Sequence, residues 1–446
     1  MTSPAGSARE TAVVVLARVD AGEAFANLLL HSALNRARLS DADAGLATEL
    51  VLGVLRHRAR VDWTLAGALR HPLERLTPRI RAVLRTGIYQ LLFLRSIPAH
   101  ATVHEAVTLA RRHGHTGTAR LVNAVLRRVA SEGERPLPEG TLPERLAVEY
   151  SHPRWLVDRW LARFGDVETA ALCGANNHPG PPTVRVNILR LGPADAADRL
   201  RDAGVAVRPT VLPEGYYVDG PFGARHVMAA EGTLTVQDLG AMLVTHLLDP
   251  QPGETVVDGA AAPGGKTTHI AERMRGRGRV IACDVHQGKL ERLSRRASVM
   301  GLDTIEAHHQ DARTVGQAFR HQAHRLLLDA PCTGFGVLRR RPDIKWRARP
   351  EDIPALAALQ REMLHGAADA LRPGGILVYS VCTIEDEEGP HVIASFLQKR
   401  PDFAPDADLP LPGAFAGATV GPGRVLLLPN RHGTDGFYIA CLRQRG

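Results

Sequence analysis

Val256-Val-Asp-Gly-Ala-Ala-Ala-Pro-Gly-Gly-Lys266 is the stretch on which the reading of the chain turns. Two valines and Asp258 have the character of a buried strand end. Gly259, Ala260, Ala261, Ala262, Pro263, Gly264 and Gly265 carry little side-chain bulk, and Lys266-Thr-Thr-His-Ile270 starts a helical pattern. Strand, small-residue loop and helix start together make a ligand cradle. The backbone can approach a cofactor closely, and the first helical turn presents unpaired N–H groups.

Two kinds of ligand compete for this cradle. Ala260, four residues and then Gly265-Lys266-Thr267 nearly fit the phosphate-binding loop G-x-x-x-x-G-K-[ST], with Leu326-Leu-Leu-Asp329 as its magnesium-binding strand. However, alanine replaces the first glycine and Pro263 removes a donor. Against that loop, Arg279-Val-Ile-Ala-Cys-Asp284 reads as the next strand. It ends in an acid about 20 residues past the glycines, where a carboxylate binds ribose hydroxyls. This favours an adenosine-bearing cofactor, S-adenosylmethionine or a dinucleotide, and the dinucleotide fingerprint G-x-G-x-x-G is absent. On these residues alone a methyltransferase leads and a nucleotidase stays open.

Outward from the cradle, strands are expected at Thr255 to Asp258, Arg279 to Asp284, Thr304 to His308, Arg325 to Asp329, Ile376 to Val381, Val425 to Leu428 and Phe437 to Leu442. Their alternation with helical segments predicts a doubly wound α/β domain over residues 240–446 with a seven-stranded sheet. Cys332 follows the fourth strand in Asp329-Ala-Pro-Cys-Thr-Gly334, and Cys382 follows the fifth in Tyr379-Ser-Val-Cys-Thr383. Neighbouring parallel strands share one crevice at their carboxyl ends, so both thiols are expected at the cofactor rim.

Such a pair suits pyrimidine methylation. Carbon 5 of cytosine becomes a useful nucleophile once a thiolate has added at carbon 6, and a second group can assist the later elimination. Asp329 would hold the edge of the base and stabilise the adduct. Cys173, Cys283 and Cys441 read as buried hydrophobes. Five widely spaced cysteines without a C-x-x-C pair give neither a disulfide framework nor a zinc site, and no metal is expected.

Residues 1–7 read as a disordered N-terminus and 8–130 as an all-helical domain. Its apolar positions recur three and four apart in Thr11 to Val19, Ala24 to Leu34, Ala44 to Leu55, Val61 to Leu69, Ile80 to Leu94 and Thr102 to Arg112. Arginines crowd it at Arg56, Arg58, Arg60, Arg79, Arg81, Arg85, Arg111, Arg112, Arg120, Arg127 and Arg128. They make either an ordinary solvated face or a surface for RNA phosphates. Residues 131–143 read as a linker. Residues 144–239 read as a small α+β subdomain with a helix to Phe164, a second helix to about Asn176 and a strand at Thr183 to Leu189.

Net charge is +8 over 446 residues, which points toward a polyanionic partner. No apolar run approaches the ~18 residues of a membrane span and the start lacks a basic-then-apolar leader. A soluble, cytoplasmic, monomeric protein with no membrane partner is expected.

At this point several stretches resemble known families. Ile88-Tyr-Gln-Leu-Leu-Phe-Leu-Arg95 with Pro98, Val103-His-Glu-Ala-Val107 and Leu121-Val-Asn-Ala-Val-Leu-Arg-Arg128 resemble the helical RNA-binding domain typified by antitermination factor NusB. Arg185-Val-Asn-Ile-Leu189 and Val236-Gln-Asp-Leu-Gly240 resemble the subdomain that precedes the catalytic domain in RNA cytosine methyltransferases. Asp258-x-x-Ala-Ala-Pro-Gly-Gly-Lys-Thr267, Leu327-Leu-Asp-Ala-Pro-Cys332, Arg340-x-Pro-Asp-Ile-Lys-Trp346 and the Cys382 strand end resemble the RNA cytosine-C5 methyltransferases. With its helical N-terminal domain the chain is similar to the RsmB (Sun or Fmu) type, which acts on bacterial 16S ribosomal RNA.

The resemblance implies a class I (Rossmann-like) methyltransferase domain behind the two smaller ones. It implies S-adenosylmethionine against Ala260 to Lys266, with Asp284 on the ribose, Asp311 near the adenine or amino-acid end and Asp329 at the methyl-transfer face. Cys382 is then the nucleophile, Cys332 assists release, and the partner is the 16S RNA of the small subunit. Arg339, Arg340, Arg341 and Lys345 would contact RNA phosphates around a flipped base. A transfer-RNA cytosine methyltransferase and a non-catalytic RNA-binding assembly factor are the alternatives. The family usually has cysteine where Ala260 stands and Thr-Cys-Ser where this chain has Val381-Cys382-Thr383.

Overall fold

The computed structural model describes residues 7–220, 227–408 and 410–445. The expected disordered stretch therefore lies outside the described residues except for Ser7. By packing, the chain divides into a helical unit, residues 1–179 with 338–348, and an α/β unit, residues 180–337 with 349–446.

The helical unit runs through α1 (Ala8–Asp20), α2 (Ala26–Ala37), α3 (Asp41–Arg56), α4 (Arg58–Ala68), α5 (Pro78–Phe93), α6 (Ala99–His113), α7 (Thr116–Glu132), α8 (Leu142–Glu149) and α9 (Arg154–Asn176). Side-chain oxygens of Ser7, Ser40 and Thr77 accept from the first-turn N–H groups of α1, α3 and α5, which explains where those helices start. The expected break after Phe164 falls at Gly165, whose φ of 75° interrupts α9. Leu50, Leu65, Leu84, Ile88 and Leu126 form the centre of the core. Gly87 admits Leu126, since a Cβ there would lie 2.7 Å from it.

Several of the arginines face inward, which corrects their reading as solvated or phosphate-binding. Asp20 accepts from Arg81 at 2.8 Å and Arg85 at 2.7 Å, with Arg58 at 3.5 Å. Arg85 also grips both oxygens of Asp62. Burial opposes the Asp20 charge, but Arg85, Arg58 and Arg81 hold its carboxyl below the ordinary value. Arg56 is buried, while Arg79, Arg111, Arg112, Arg120, Arg127 and Arg128 are exposed.

The α/β unit begins with a small antiparallel sheet of β1 (Thr183–Val186), β2 (Ala206–Pro209), β3 (Gly215–Asp219) and β4 (Leu234–Val236) in the order β2-β3-β1-β4, with α10 (Pro193–Asp202) between β1 and β2 in the chain. Next come α11 (Leu239–Leu248), β5 (Thr255–Asp258), α12 (Gly265–Arg273), β6 (Arg279–Asp284), α13 (Gln287–Met300), β7 (Ile305–His309), β8 (Ala323–Asp329), α14 (Asp352–Ala368), β9 (Leu371–Val381), α15 (Pro390–Lys399), β10 (Phe403–Pro405), β11 (Thr419–Gly421), β12 (Arg424–Leu427) and β13 (Phe437–Gln444). The main sheet is ordered β11-β12-β13-β9-β8-β5-β6-β7, with β10 on β13. The expected seven strands are all in it. The count of nine corrects the sequence reading: β10 and β11 are three-residue strands carrying Pro405 and Gly421, too short for an alternating pattern to show.

Alternation along the central strands supplies two cores. Leu326, Leu328, Tyr379 and Val381 pack with Met363, Leu364 and Phe396 on one face, while Leu327 and Val378 pack with Leu243, Leu247 and Ile270 on the other. Strand order reverses at β5, which has β6 on one side and β8 on the other. The crevice at that reversal is where ligands of open parallel sheets bind.

One side chain of the small sheet fixes the helix that leads out of the cradle. Arg185 is fully buried and donates to both oxygens of Glu272 at 2.8 and 2.9 Å, to the Gly265 carbonyl at 2.8 Å, to Thr268 Oγ1 at 2.9 Å and to Gln237. Removing one member of such a pair strands a buried charge. Arg185→Ala is therefore expected to lower unfolding free energy by about 3–5 kcal/mol, and Arg185→Met with Glu272→Leu by much less. Urea unfolding of the three proteins checks this.

Candidate active site

The site is built on the ends of β5, β6, β8 and β9. Asp258, 1% exposed, closes β5 and accepts from Thr267 Oγ1 at 2.7 Å. Burial pushes its carboxyl up to about 7, against the opposing pull of Thr267. The small-residue loop then hangs from the end of β6, where Ala261 N–H donates to the Cys283 carbonyl at 2.8 Å and Ala262 N–H to Asp284 Oδ2 at 3.1 Å. The Ala262–Pro263 peptide is cis. Gly264 has a φ of 103° and a Cβ there would stand 2.2 Å from Leu293, so only glycine fits. At Gly265 an added Cβ would meet nothing within 4 Å, which leaves the first turn of α12 open to a ligand.

Asp284 ends the next strand and Asp311 follows the one after it. Asp284 Oδ1 accepts from the N–H and Nδ1 of His286 at 2.8 and 2.9 Å. Its remaining lone pairs suit hydroxyl donors. Asp311 lies beyond β7 and accepts from Arg313 N–H at 2.9 Å and from its guanidinium at 2.7 Å. That hydrogen bonding holds its carboxyl below the usual range. Because β5, β6 and β7 are parallel and paired, Asp258, Asp284 and Asp311 stand at three neighbouring strand ends.

Across the reversal point, Lys266 Nζ donates to Asp329 Oδ2 at 2.7 Å and Ser380 Oγ to Asp329 Oδ1 at 2.7 Å. Burial disfavours the ammonium, yet Asp329, with Cys382 and Asp258 beyond it, keeps Lys266 above the ordinary lysine value. Asp329 and Ser380 are register partners on β8 and β9. The chain therefore places Cys332 and Cys382 just past one shared level, and their sulfurs are 3.3 Å apart. The hydrogen bond between them, then burial, holds Cys332 well above the ordinary thiol value.

Residues that the sequence reading passed over hold the two cysteine loops. Glu388 accepts from Thr333 N–H at 2.9 Å, Thr333 Oγ1 at 2.5 Å and Gln360 Nε2 at 3.0 Å. Thr333 and Thr383 hydroxyls are 2.9 Å apart, so the neighbour of one cysteine bonds the neighbour of the other. Gly336 N–H donates to the Cys382 carbonyl at 3.0 Å. Glu388 is fully buried. Ser380 and Thr383 flank Cys382 in its quoted motif, the one signal that could have found them.

Two of the four residues expected at RNA phosphates are turned inward. Lys345 is 1% exposed, donates to the Arg56 carbonyl at 3.0 Å and is pushed down to about 7 by burial. Arg339 is 7% exposed, and its guanidinium donates to the His178 carbonyl. Both belong to the interior of the helical unit, which corrects their assignment. They anchor the 338–348 segment together with Trp346, whose Nε1 donates to the Leu55 carbonyl at 2.6 Å. Arg341 is exposed and Arg340 half-buried.

The arrangement offers an open-ended cofactor cradle, a half-buried lysine–aspartate pair and two thiols in contact. Residues 245–443 match the family model of 16S rRNA methyltransferase RsmB/F, residues 6–131 that of the NusB family and residues 152–224 that of the RsmF/B-like ferredoxin-like domain. The chain is similar to a probable ribosomal RNA small subunit methyltransferase B of Bacillus subtilis (strain 168), at 39% identity over 99% of each chain. It is also similar to the crystal structure of PH0851, at a TM-score of 0.84 and 28% identity over 100% of both chains. A methyltransferase homolog protein from Pyrococcus horikoshii matches at a TM-score of 0.59 and 30% identity, over 67% of this chain and 97% of that one.

The raised Asp258 carboxyl sets a pH dependence. Folded, it keeps its proton up to about 7, whereas its ordinary value is 3.8. Between those limits the folded form binds more protons, so the contribution to stability is present below about pH 4 and lost as pH rises to about 7, by on the order of 4 kcal/mol. Unfolding free energies of the wild type and Asp258→Asn, measured between these limits, should diverge, with the wild type falling relative to the variant. Parallel curves contradict the assignment.

Proposed function

The chain belongs to the ribosomal RNA small subunit methyltransferase B family, and from that premise we propose that it transfers a methyl group from S-adenosylmethionine to carbon 5 of a cytosine in 16S ribosomal RNA. The observation that carries this reading is the pair of thiols, 3.3 Å apart, at the ends of neighbouring parallel strands beside the cradle. Bound S-adenosylmethionine supplies an electrophilic methyl group. Gly265 and the open first turn of α12 would hold it, with Asp284 taking ribose hydroxyls, Asp311 near the adenine or amino-acid end and Asp329 facing the methyl group.

Cys382 acts as the nucleophile, adding its thiolate to carbon 6 of the cytosine. Lys266 favours that thiolate, since ammonium and sulfur each stabilise the other's charged form. Asp329, fixed by Lys266 and Ser380, holds the edge of the base while charge builds on the adduct. After carbon 5 is methylated, its proton passes to water, the carbon–hydrogen electron pair restores the ring double bond and Cys382 leaves carbon 6 as a thiolate. Cys332 is held as a thiol, so it can donate its hydrogen bond to the departing Cys382 sulfur. The exposed arginines of the helical unit, with Arg340 and Arg341, supply phosphate contacts, while residues 240–446 carry the chemistry.

Two measurements test this reading. Asp284→Ala should weaken S-adenosylmethionine binding by about 2–3 kcal/mol in calorimetry, the range for hydrogen bonds to a charged group. After incubation with RNA and S-adenosylmethionine, Cys332→Ala should give a retarded protein–RNA band in denaturing gels, and Cys382→Ala and the double variant should give none. The opposite pattern would make Cys332 the nucleophile, and the absence of any band with turnover intact would remove thiol addition.

A further inference from the structure

Away from the crevice, three side chains of the α/β unit converge from separate elements. Glu214 precedes β3, His246 lies on α11 and His269 on α12. Glu214 Oε1 is 2.6 Å from His246 Nε2 and 2.7 Å from His269 Nε2, and the three donor atoms lie within 4.8 Å of one another. Glu214 is 5% exposed and His269 fully buried.

The surrounding charges leave Glu214 exceptional. Arg185 is matched by Glu272 at 2.8 Å, and Arg273, which stands 3.2 Å from His246 Nδ1 and 3.3 Å from its Nε2, faces Asp249 at 3.5 Å. Among the described residues Glu214 has ion-pair geometry with the two imidazoles alone. His269 Nδ1, also buried, has no hydrogen-bond partner among the described residues. A buried carboxylate oxygen with two imidazole nitrogens converging on it is a donor set that a cation can join.

We propose that Glu214, His246 and His269 form a structural site for a divalent transition-metal ion, zinc in the first instance. Two imidazole nitrogens and a carboxylate oxygen are a zinc donor set, and bonds of about 2.0–2.1 Å put tetrahedral ligands about 3.3 Å apart. Side-chain rotation by under about an ångström opens the oxygen–nitrogen contacts to that spacing. The ion takes the Nε2 lone pair of each imidazole, whose single proton then sits on Nδ1, and the half-buried His246 admits a water as fourth ligand. The site joins the start of β3 to α11 and α12, so the ion clamps the small sheet to the helix that carries Gly265 and Lys266. It takes no part in methyl transfer. The sequence reading expected no metal because it weighed cysteine spacing alone, and ligands separated by 32 and 55 residues leave no local motif.

Chelator-stripped full-length protein, incubated with zinc chloride and dialysed, is to be assayed by elemental analysis beside Glu214→Gln, His246→Ala and the Cys332→Ala/Cys382→Ala double variant. Wild type and the cysteine double variant should retain a single equivalent. Glu214→Gln and His246→Ala should lose affinity by more than the roughly 10–100-fold of an outer-shell change. Zinc should also raise the wild-type Tm but not that of His246→Ala, and the cobalt form should show no sulfur-to-metal charge-transfer band. Folded wild type that retains no zinc overturns the proposal. So does zinc lost from the cysteine double variant but kept by His246→Ala.

Discussion

The Lys266 ammonium set against the Asp329 carboxylate is the contact on which the crevice depends. Lys266 is the second residue of α12 and Asp329 the last of β8, so a separation of 2.7 Å ties the cradle to the strand that carries the first cysteine. The pair is half-buried, and parting the two elements would leave a partly desolvated ammonium without its carboxylate. Ser380 takes the other Asp329 oxygen and brings β9 into the same arrangement. With these strand ends at one level, the loops that follow β8 and β9 bring the two sulfurs to 3.3 Å.

Support comes from both sides of that contact. Behind the cradle, Arg185 bonds Gly265, Thr268 and Glu272 along one side of α12. Beyond it, Glu388, Thr333, Gln360 and Thr383 hold the loops after β8 and β9. The crevice then sorts its titratable groups by environment: Asp258 is raised by burial, Lys266 is kept charged by Asp329, and Cys332 is kept as a thiol by Cys382. Different protonation states at close quarters suit a reaction that needs a thiolate and a hydrogen-bond donor together.

What was legible in the sequence was periodicity and loop chemistry. The alternating residues of Arg325 to Asp329 and Ile376 to Val381 signalled two-faced central strands, and Gly264 and Gly265 signalled a backbone that must bend or stay open. Charge was read less well, because a residue's formal charge does not reveal its burial. Arg85 and Lys345 look like surface cations in sequence, yet one is held by Asp20 and Asp62 and the other by the Arg56 carbonyl. Glu388 and the Glu214 cluster were hidden for the same reason, since their partners lie far along the chain and only tertiary packing brings them together.

The account rests on methyl transfer to carbon 5 through the paired thiols, and nucleoside mass spectrometry tests it most directly. Purified protein, labelled S-adenosylmethionine and 16S ribosomal RNA from a strain lacking the gene should yield labelled 5-methylcytidine on complete digestion. Label found in a methylated exocyclic amine, in a ribose or in another base, with no 5-methylcytidine, would contradict it.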